Sequence, residues 1–94
     1  MRVVVEFTGV ARMLTEQSSV DLELAPNDTL QQVIISLARQ FPALIGEVFE
    51  KGGDSLIPTN VFSLNGEKII HENELTFKPE DGDKLILLSL LAGG

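Results

Sequence analysis

The chain has 94 residues, enough for one domain and near the low end for a stable core, and 44% of them are hydrophobic, a globular rather than a disordered composition. It has no cysteine, which excludes a disulfide framework, a thiolate zinc site and a cysteine nucleophile. The 14 acidic and 7 basic residues give a formal charge of −7, so nucleic acid, whose phosphates call for a basic patch, is not an expected partner. The N-terminus, Met1-Arg2-Val3-Val4-Val5-Glu6, meets charge too soon for a signal peptide. No apolar run approaches the roughly 20 residues that span a bilayer, so the expectation is a soluble, cytoplasmic protein without a membrane partner.

Arg2 to Thr8 reads as a strand, with Val3, Val5 and Phe7 on one face and Val4 and Glu6 on the other. Gly9 breaks it, and Val10 to Leu14 reads as a turn of helix. Ser19 to Leu24 alternates cleanly: Val20, Leu22 and Leu24 point inward, Asp21 and Glu23 outward. That pattern marks a half-buried strand, antiparallel to the first across a hairpin-like connection. Ala25-Pro26-Asn27-Asp28 is turn chemistry, and Thr29 with Gln32 forms a capping box that starts a helix. Leu30, Val33, Ile34, Leu37, Ala38 and Phe41 follow at helical spacing as one broad apolar stripe, and Pro42 ends it. Leu44, Ile45, Val48 and Phe49 suggest a second short helical piece, and Lys51 to Thr59 an irregular loop.

Asn60 to Leu64 is the next strand, with Phe62 and Leu64 as its core residues. Asn65-Gly66 is a hairpin signal, because both central positions of a type I′ turn need positive φ. Glu67 to Ile70 returns, Leu75 and Phe77 anchor a connection, and Glu80-Asp81-Gly82-Asp83 turns the chain into a last strand around Leu85-Ile86-Leu87-Leu88. The order is ββαββ, an α+β arrangement of four or five strands and one principal helix. The last strand is the most continuously apolar and therefore central, which places it beside the first as a parallel pair. One helix covers one face of such a sheet. The other face stays partly open, with Val4, Ile86 and Leu88 on it, and an apolar patch of that kind marks a partner surface. The alternative is that Pro58 and its loop fold over it.

No internal catalytic set emerges. His71 is the only histidine and reads as a solvated turn residue. Asp81-Gly82-Asp83 lacks the further oxygen ligands of a calcium loop. Gly52-Gly53-Asp54 lacks the Lys-Ser/Thr of a phosphate loop. Attention moves to the end of the chain, Leu90-Leu91-Ala92-Gly93-Gly94. Two consecutive glycines pack nothing and order at a high entropic cost, so they either fray or serve close approach by another molecule. A strand running straight into them looks like a device for presenting the Gly94 α-carboxylate. Extended, residues 89–94 reach about 20 Å, enough to thread a channel.

The order and spacing of several short segments then resemble a known family. These are the Val-rich first strand, Ala11-Arg12-Met13-Leu14-Thr15, Asp28-Thr29-Leu30, Phe41-Pro42, Leu64-Asn65-Gly66-Glu67, and Asp81-Gly82-Asp83 before a strand ending in Gly93-Gly94. Nearly end to end, the chain resembles the ubiquitin-like β-grasp sulfur carriers of the MoaD/ThiS family, most closely the small subunit of molybdopterin synthase. The resemblance implies a single β-grasp domain over residues 1–94, with a flexible tail. It implies that Gly94, next to Gly93, is adenylated by an E1-like enzyme using ATP and becomes a thiocarboxylate, with no cofactor bound by the chain itself. The sulfur then passes to a pterin precursor inside the large synthase subunit. The chain would thus be part of a sulfurtransferase with no active site of its own.

The expected partner-binding residues are Ile86, Leu88, Leu90 and Leu91, with Arg12. The family usually has Pro-Pro where Ser89-Leu90 stand here, so a less stiff tail is expected, and the Lys51–Thr59 loop is longer than the family minimum. Within the class, the alternatives are sulfur donation for thiamin or tRNA thiolation, or conjugation to protein lysines. Outside it, the alternative is a β-grasp binding module whose Gly-Gly is incidental. The expected core is Val3, Val5, Phe7, Leu22, Val33, Ile34, Leu37, Phe62, Leu64, Leu85 and Leu87.

Overall fold

The computed structural model describes residues 1–90. Strand β1 (Arg2–Phe7) alternates as its sequence requires, with Val3, Val5 and Phe7 buried and Val4 and Glu6 half-buried on the opposite face. At Thr8 the chain leaves the sheet through Gly9, whose φ of +54° suits glycine. It then makes α1 (Gly9–Thr15), closed by Glu16 in the left-handed region. Strand β2 (Ser19–Glu23) returns antiparallel to β1, Val3 opposite Leu22 and Val5 opposite Val20. The hairpin-like connection expected there contains a full short helix.

Helix α2 (Leu30–Gln40) begins at Thr29, whose backbone N–H donates to Gln32 Oε1 at 2.7 Å. Two more of its free N–H groups are satisfied from a distance. Leu30 N–H donates to Phe77 O at 2.9 Å and Gln31 N–H to Leu75 O at 3.1 Å, so the connection after β4 also caps the helix. Leu30, Val33, Ile34, Leu37 and Ala38 form the buried stripe, and Phe41, half-buried beyond the last turn, meets the Phe7 ring edge-on at 5.4 Å. Pro42 does not merely stop the helix; it opens a 3₁₀ turn, Pro42–Leu44.

The helical piece expected from Leu44, Ile45, Val48 and Phe49 is not there beyond that turn. Gly46 has φ +91°, its N–H donates to Phe49 O at 2.7 Å, and Ile45 and Phe49 form an isolated bridge. The segment is a tight loop that drives Leu44, Val48 and Phe49, together with Leu56, into the main core. Gly53 sits near Ala38 of α2, which shows that this loop extends the helical layer.

Strands β3 (Asn60–Leu64), β4 (Lys68–Ile70) and β5 (Lys84–Ser89) complete a five-stranded sheet in the order β2-β1-β5-β3-β4. β5 is central and parallel to β1, with Val5 opposite Leu85 and Phe7 opposite Leu87, as its apolar run predicted. Asn65 and Gly66 have φ of 55° and 73°, and Glu67 N–H closes on Leu64 O at 2.9 Å. All the expected core residues are buried except Leu64, which is half-buried at the sheet's end. Each large side chain fully removed from water contributes about 1.5–3 kcal/mol. The result is the mixed sheet with one main helix that the β-grasp resemblance implies. Among the described residues no helix is long and apolar enough to cross a membrane.

Candidate functional site

Everything that distinguishes this molecule converges on β5. At its start, two turns are tied together. Asn65 Oδ1 accepts from Lys84 N–H at 2.8 Å, Asn65 N–H donates to Lys84 O at 2.8 Å, and Asn65 Nδ2 donates to Asp83 Oδ1 at 3.0 Å. Asp83 Oδ2 also accepts from Glu80 N–H at 2.8 Å, and Asp81 Oδ1 accepts from Arg2 N–H at 2.7 Å. The Asn-Gly and Asp-Gly-Asp motifs are therefore one clip across three strands. Their carboxylates are occupied by N–H donors rather than arranged to hold a cation. Among the described residues no group of His, Cys, Asp or Glu could hold a metal ion, and His71 is exposed.

At its far end β5 outlasts β1. Pairing with β1 ends at Phe7–Leu87, and there Thr8 Oγ1 donates to Leu87 O at 2.6 Å, a side chain replacing the next rung of the ladder. On the other side β3 accompanies β5 to Asn60–Ser89, and Leu90 N–H donates to Thr59 O at 2.7 Å. The chain is thus held in a fixed direction up to Leu90, whose side chain is 53% exposed. Gly93 and Gly94, the expected reacting residues, and Leu91, an expected contact, lie outside the described residues. Between the end of β1 with α1 on one side and the Glu47-Val48 turn on the other, a cleft of about 210 Å³ opens beside Leu87, Leu88 and Ser89.

The two faces of β5 differ. Leu85 and Leu87 point into the core at 0% and 1% exposure, whereas Ile86 and Leu88 are half-buried on the helix-free face. There Ile86 lies between Glu6 of β1 and Ser63 of β3, and Leu88 lies beside Val61. Ile69 on the edge strand β4 continues the row. Apart from the buried Ser63, the β5–β3–β4 half of the face from Ile86 to Leu88 is apolar. The β1–β2 half carries Glu6, Ser19 and Asp21, and Glu6 pairs with Lys84 at 3.2 Å. An exposed pair of that kind adds little stability, about 0–1 kcal/mol, but it marks where the apolar strip stops.

The structure thus brings Ile86 and Leu88 together and continues them toward Leu90. Arg12 is carried by a different element, α1, whose Val10 and Ala11 line the cleft beside Leu88. Arg12 stands exposed on α1, whose buried residue Ala11 belongs to the helix-side core. Sequence reasoning missed Val61, fully buried on this second face. The adjacent apolar pair Val61-Phe62 in a strand with alternating partners was the available signal.

Similarity to known proteins agrees with this geometry. The chain is 25% identical to the small archaeal modifier protein 1 (SAMP1) of Methanosarcina acetivorans, with a TM-score of 0.79 over 99% of this chain and 96% of that one. It superposes on a putative molybdopterin converting factor, subunit 1, from Pyrococcus furiosus with a TM-score of 0.76 at 16% identity, over 96% of this chain and 98% of the other. It also superposes on a chain of the Amycolatopsis orientalis BexX/CysO complex with a TM-score of 0.75 at 21% identity, over 98% and 99% of the two chains. No curated protein sequence matches significantly. The ThiS family model, however, spans residues 5–94, and the chain belongs to the ThiS family, with the ubiquitin-like β-grasp fold of its sulfur carriers.

Proposed function

We propose that the protein is a sulfur carrier whose Gly94 carboxylate is the reacting group and whose pathway is molybdopterin synthesis. The observation that carries the reading is the construction of β5. It is a central strand, clipped at its start and held in direction to Leu90, and it leads directly into Gly93-Gly94. The carboxylate attacks the α-phosphate of ATP, releasing pyrophosphate and leaving an acyl-adenylate. Sulfide from a sulfur source then attacks the acyl carbon and displaces AMP, leaving a thiocarboxylate. Without a Cβ, the two glycines let an E1-like enzyme close tightly around the backbone. The thiocarboxylate is then presented to the large synthase subunit, which docks on the Ile86–Leu88–Leu90 strip. Similarity to the putative molybdopterin converting factor subunit supports the choice of pathway.

A second reading, conjugation of Gly94 to protein lysines, has its own support in the similarity to an archaeal modifier protein. Both readings share the activated carboxylate. The test is intact-mass measurement after incubation with the cognate activating enzyme, ATP and a sulfur source. The protein should gain the mass difference between sulfur and oxygen, localised to Gly94. A gain on an internal residue, or one that survives removal of Gly93-Gly94, refutes the carrier reading. Transfer to lysine side chains with no pterin product, when the large subunit is also present, selects the second.

A further inference from the structure

The cleft at the root of the tail is walled by Thr8, Val10 and Ala11 on one side and Glu47 and Val48 on the other, and it meets the strip just assigned to the large subunit at Leu88. On its floor Asn60 is 8% exposed. Asn60 Nδ2 faces Ile57 O at 3.5 Å and Thr59 Oγ1 at 3.4 Å. A carbonyl oxygen only accepts, so the amide nitrogen must be the atom on that side, and Oδ1 is turned the other way. Among the described residues nothing donates to this Oδ1, yet it is not sealed from solvent. Asn60 is one of the residues that line the cleft. Thr8 gives its hydroxyl proton to Leu87 O, which leaves lone pairs on Oγ1. Glu47 stands exposed on the rim and makes no ion pair among the described residues. Three acceptors from three segments, one of them a carboxylate, thus share a cleft with the apolar walls of Val10, Val48 and Leu87.

We propose that this cleft receives an arginine side chain from the enzyme that activates the tail. A guanidinium is planar, always charged, and has five N–H donors and no acceptor, the complement of Asn60 Oδ1, Thr8 Oγ1 and the Glu47 carboxylate. Its methylene stem matches the apolar walls. A lysine would offer one compact charge to acceptors spread around the cleft. The net charge of −7 favours approach of a cationic group. Only the source of the arginine rests on the sulfur-carrier reading; the recognition chemistry stands apart from it.

The test titrates the full-length protein, followed by amide NMR, with N-acetyl-arginine methylamide, and in parallel with the neutral citrulline and the lysine analogues. The arginine probe should give saturable shifts of the Asn60 side-chain amide and of the Thr8 and Glu47 backbone amides. Glu47→Gln should weaken it about three- to five-fold. Equal shifts from the citrulline analogue, equal affinity of the lysine analogue, or no change in Glu47→Gln overturns the proposal. With the activating enzyme, Glu47→Arg should raise KM for the carrier while leaving kcat and the thermal midpoint unchanged. An unchanged KM beside intact probe binding refutes that enzyme as the source. The wild-type mass gain, measured separately, reports on the carrier reading alone.

Discussion

The two ends of β5 are built on opposite plans. At the start, the Asn65 side chain, the Asp81 and Asp83 carboxylates and several main-chain bonds hold the strand to β3 and β1 at once. At the finish β1 has ended and the Thr8 hydroxyl stands in for it, only β3 pairs on to Ser89 with Leu90 N–H donating to Thr59 O, and a cleft lies alongside. The first end shares its bonds among elements far apart in sequence, so it resists local opening. The second fixes direction but leaves surface for another molecule. Stability is concentrated at one end so that presentation can occur at the other, and substitutions along the strand should reveal the gradient.

The largest loss of stability should come from the clip. Asn65→Ala removes two side-chain hydrogen bonds and puts alanine at φ 55°, so we expect a cost of about 2–3 kcal/mol in urea unfolding. A loss below about 0.5 kcal/mol, within the range of an ordinary surface change, would abolish the contrast between the ends. Next is Leu88→Asp on the helix-free face, where a poor strand former replaces a half-buried leucine. It should cost about 1 kcal/mol, yet on the reading that the activating enzyme and the large subunit dock on the same strip it should weaken both complexes. Equal capture of the two partners by wild type and variant refutes a shared docking face. Smallest of all in stability is the tail. Gly94→Ala and Gly93→Val should leave the unfolding midpoint where it was while slowing adenylation, the β-branched change more so. A shifted midpoint would place the tail among the stabilising elements.

Much of this was legible in advance where neighbours in sequence carry the signal. Alternation in Val3-Val4-Val5-Glu6-Phe7 and in Ser19 to Glu23, the Thr29–Gln32 box and the Asn65-Gly66 turn all describe contacts within a few residues. The continuously apolar Leu85–Leu88 even placed its strand at the centre. Residues 44–49 were misread because an i, i+4 spacing of apolar residues does not distinguish a helix from a loop folded onto the same core. Gly46, at positive φ, was the discriminating residue. Leu64 was assigned to the core from its alternation, which carries no information about how near the strand's end it lies. The cleft was not legible at all, since Thr8, Glu47 and Asn60 meet only once three segments have folded together. The proposed reacting residues show the converse: Gly93-Gly94 is conspicuous in the sequence because two consecutive glycines have no side chain to pack.

The parallel pairing of β1 with β5 also has a mechanical consequence. The two strands lie side by side, and Met1 and Leu90 emerge from opposite ends of the pair. Tension applied between those two points drags one strand along the other, loading the evenly spaced rungs together instead of peeling them one at a time. A pull on Leu90 by an enzyme threading the tail into a closed pocket is therefore spread over the centre of the sheet. The same force applied across the antiparallel β3–β4 hairpin, at Asn60 and Ile70, would unzip it rung by rung. In a force-clamp measurement the first direction should outlast the second, so that the carrier yields last along the line on which its tail is drawn.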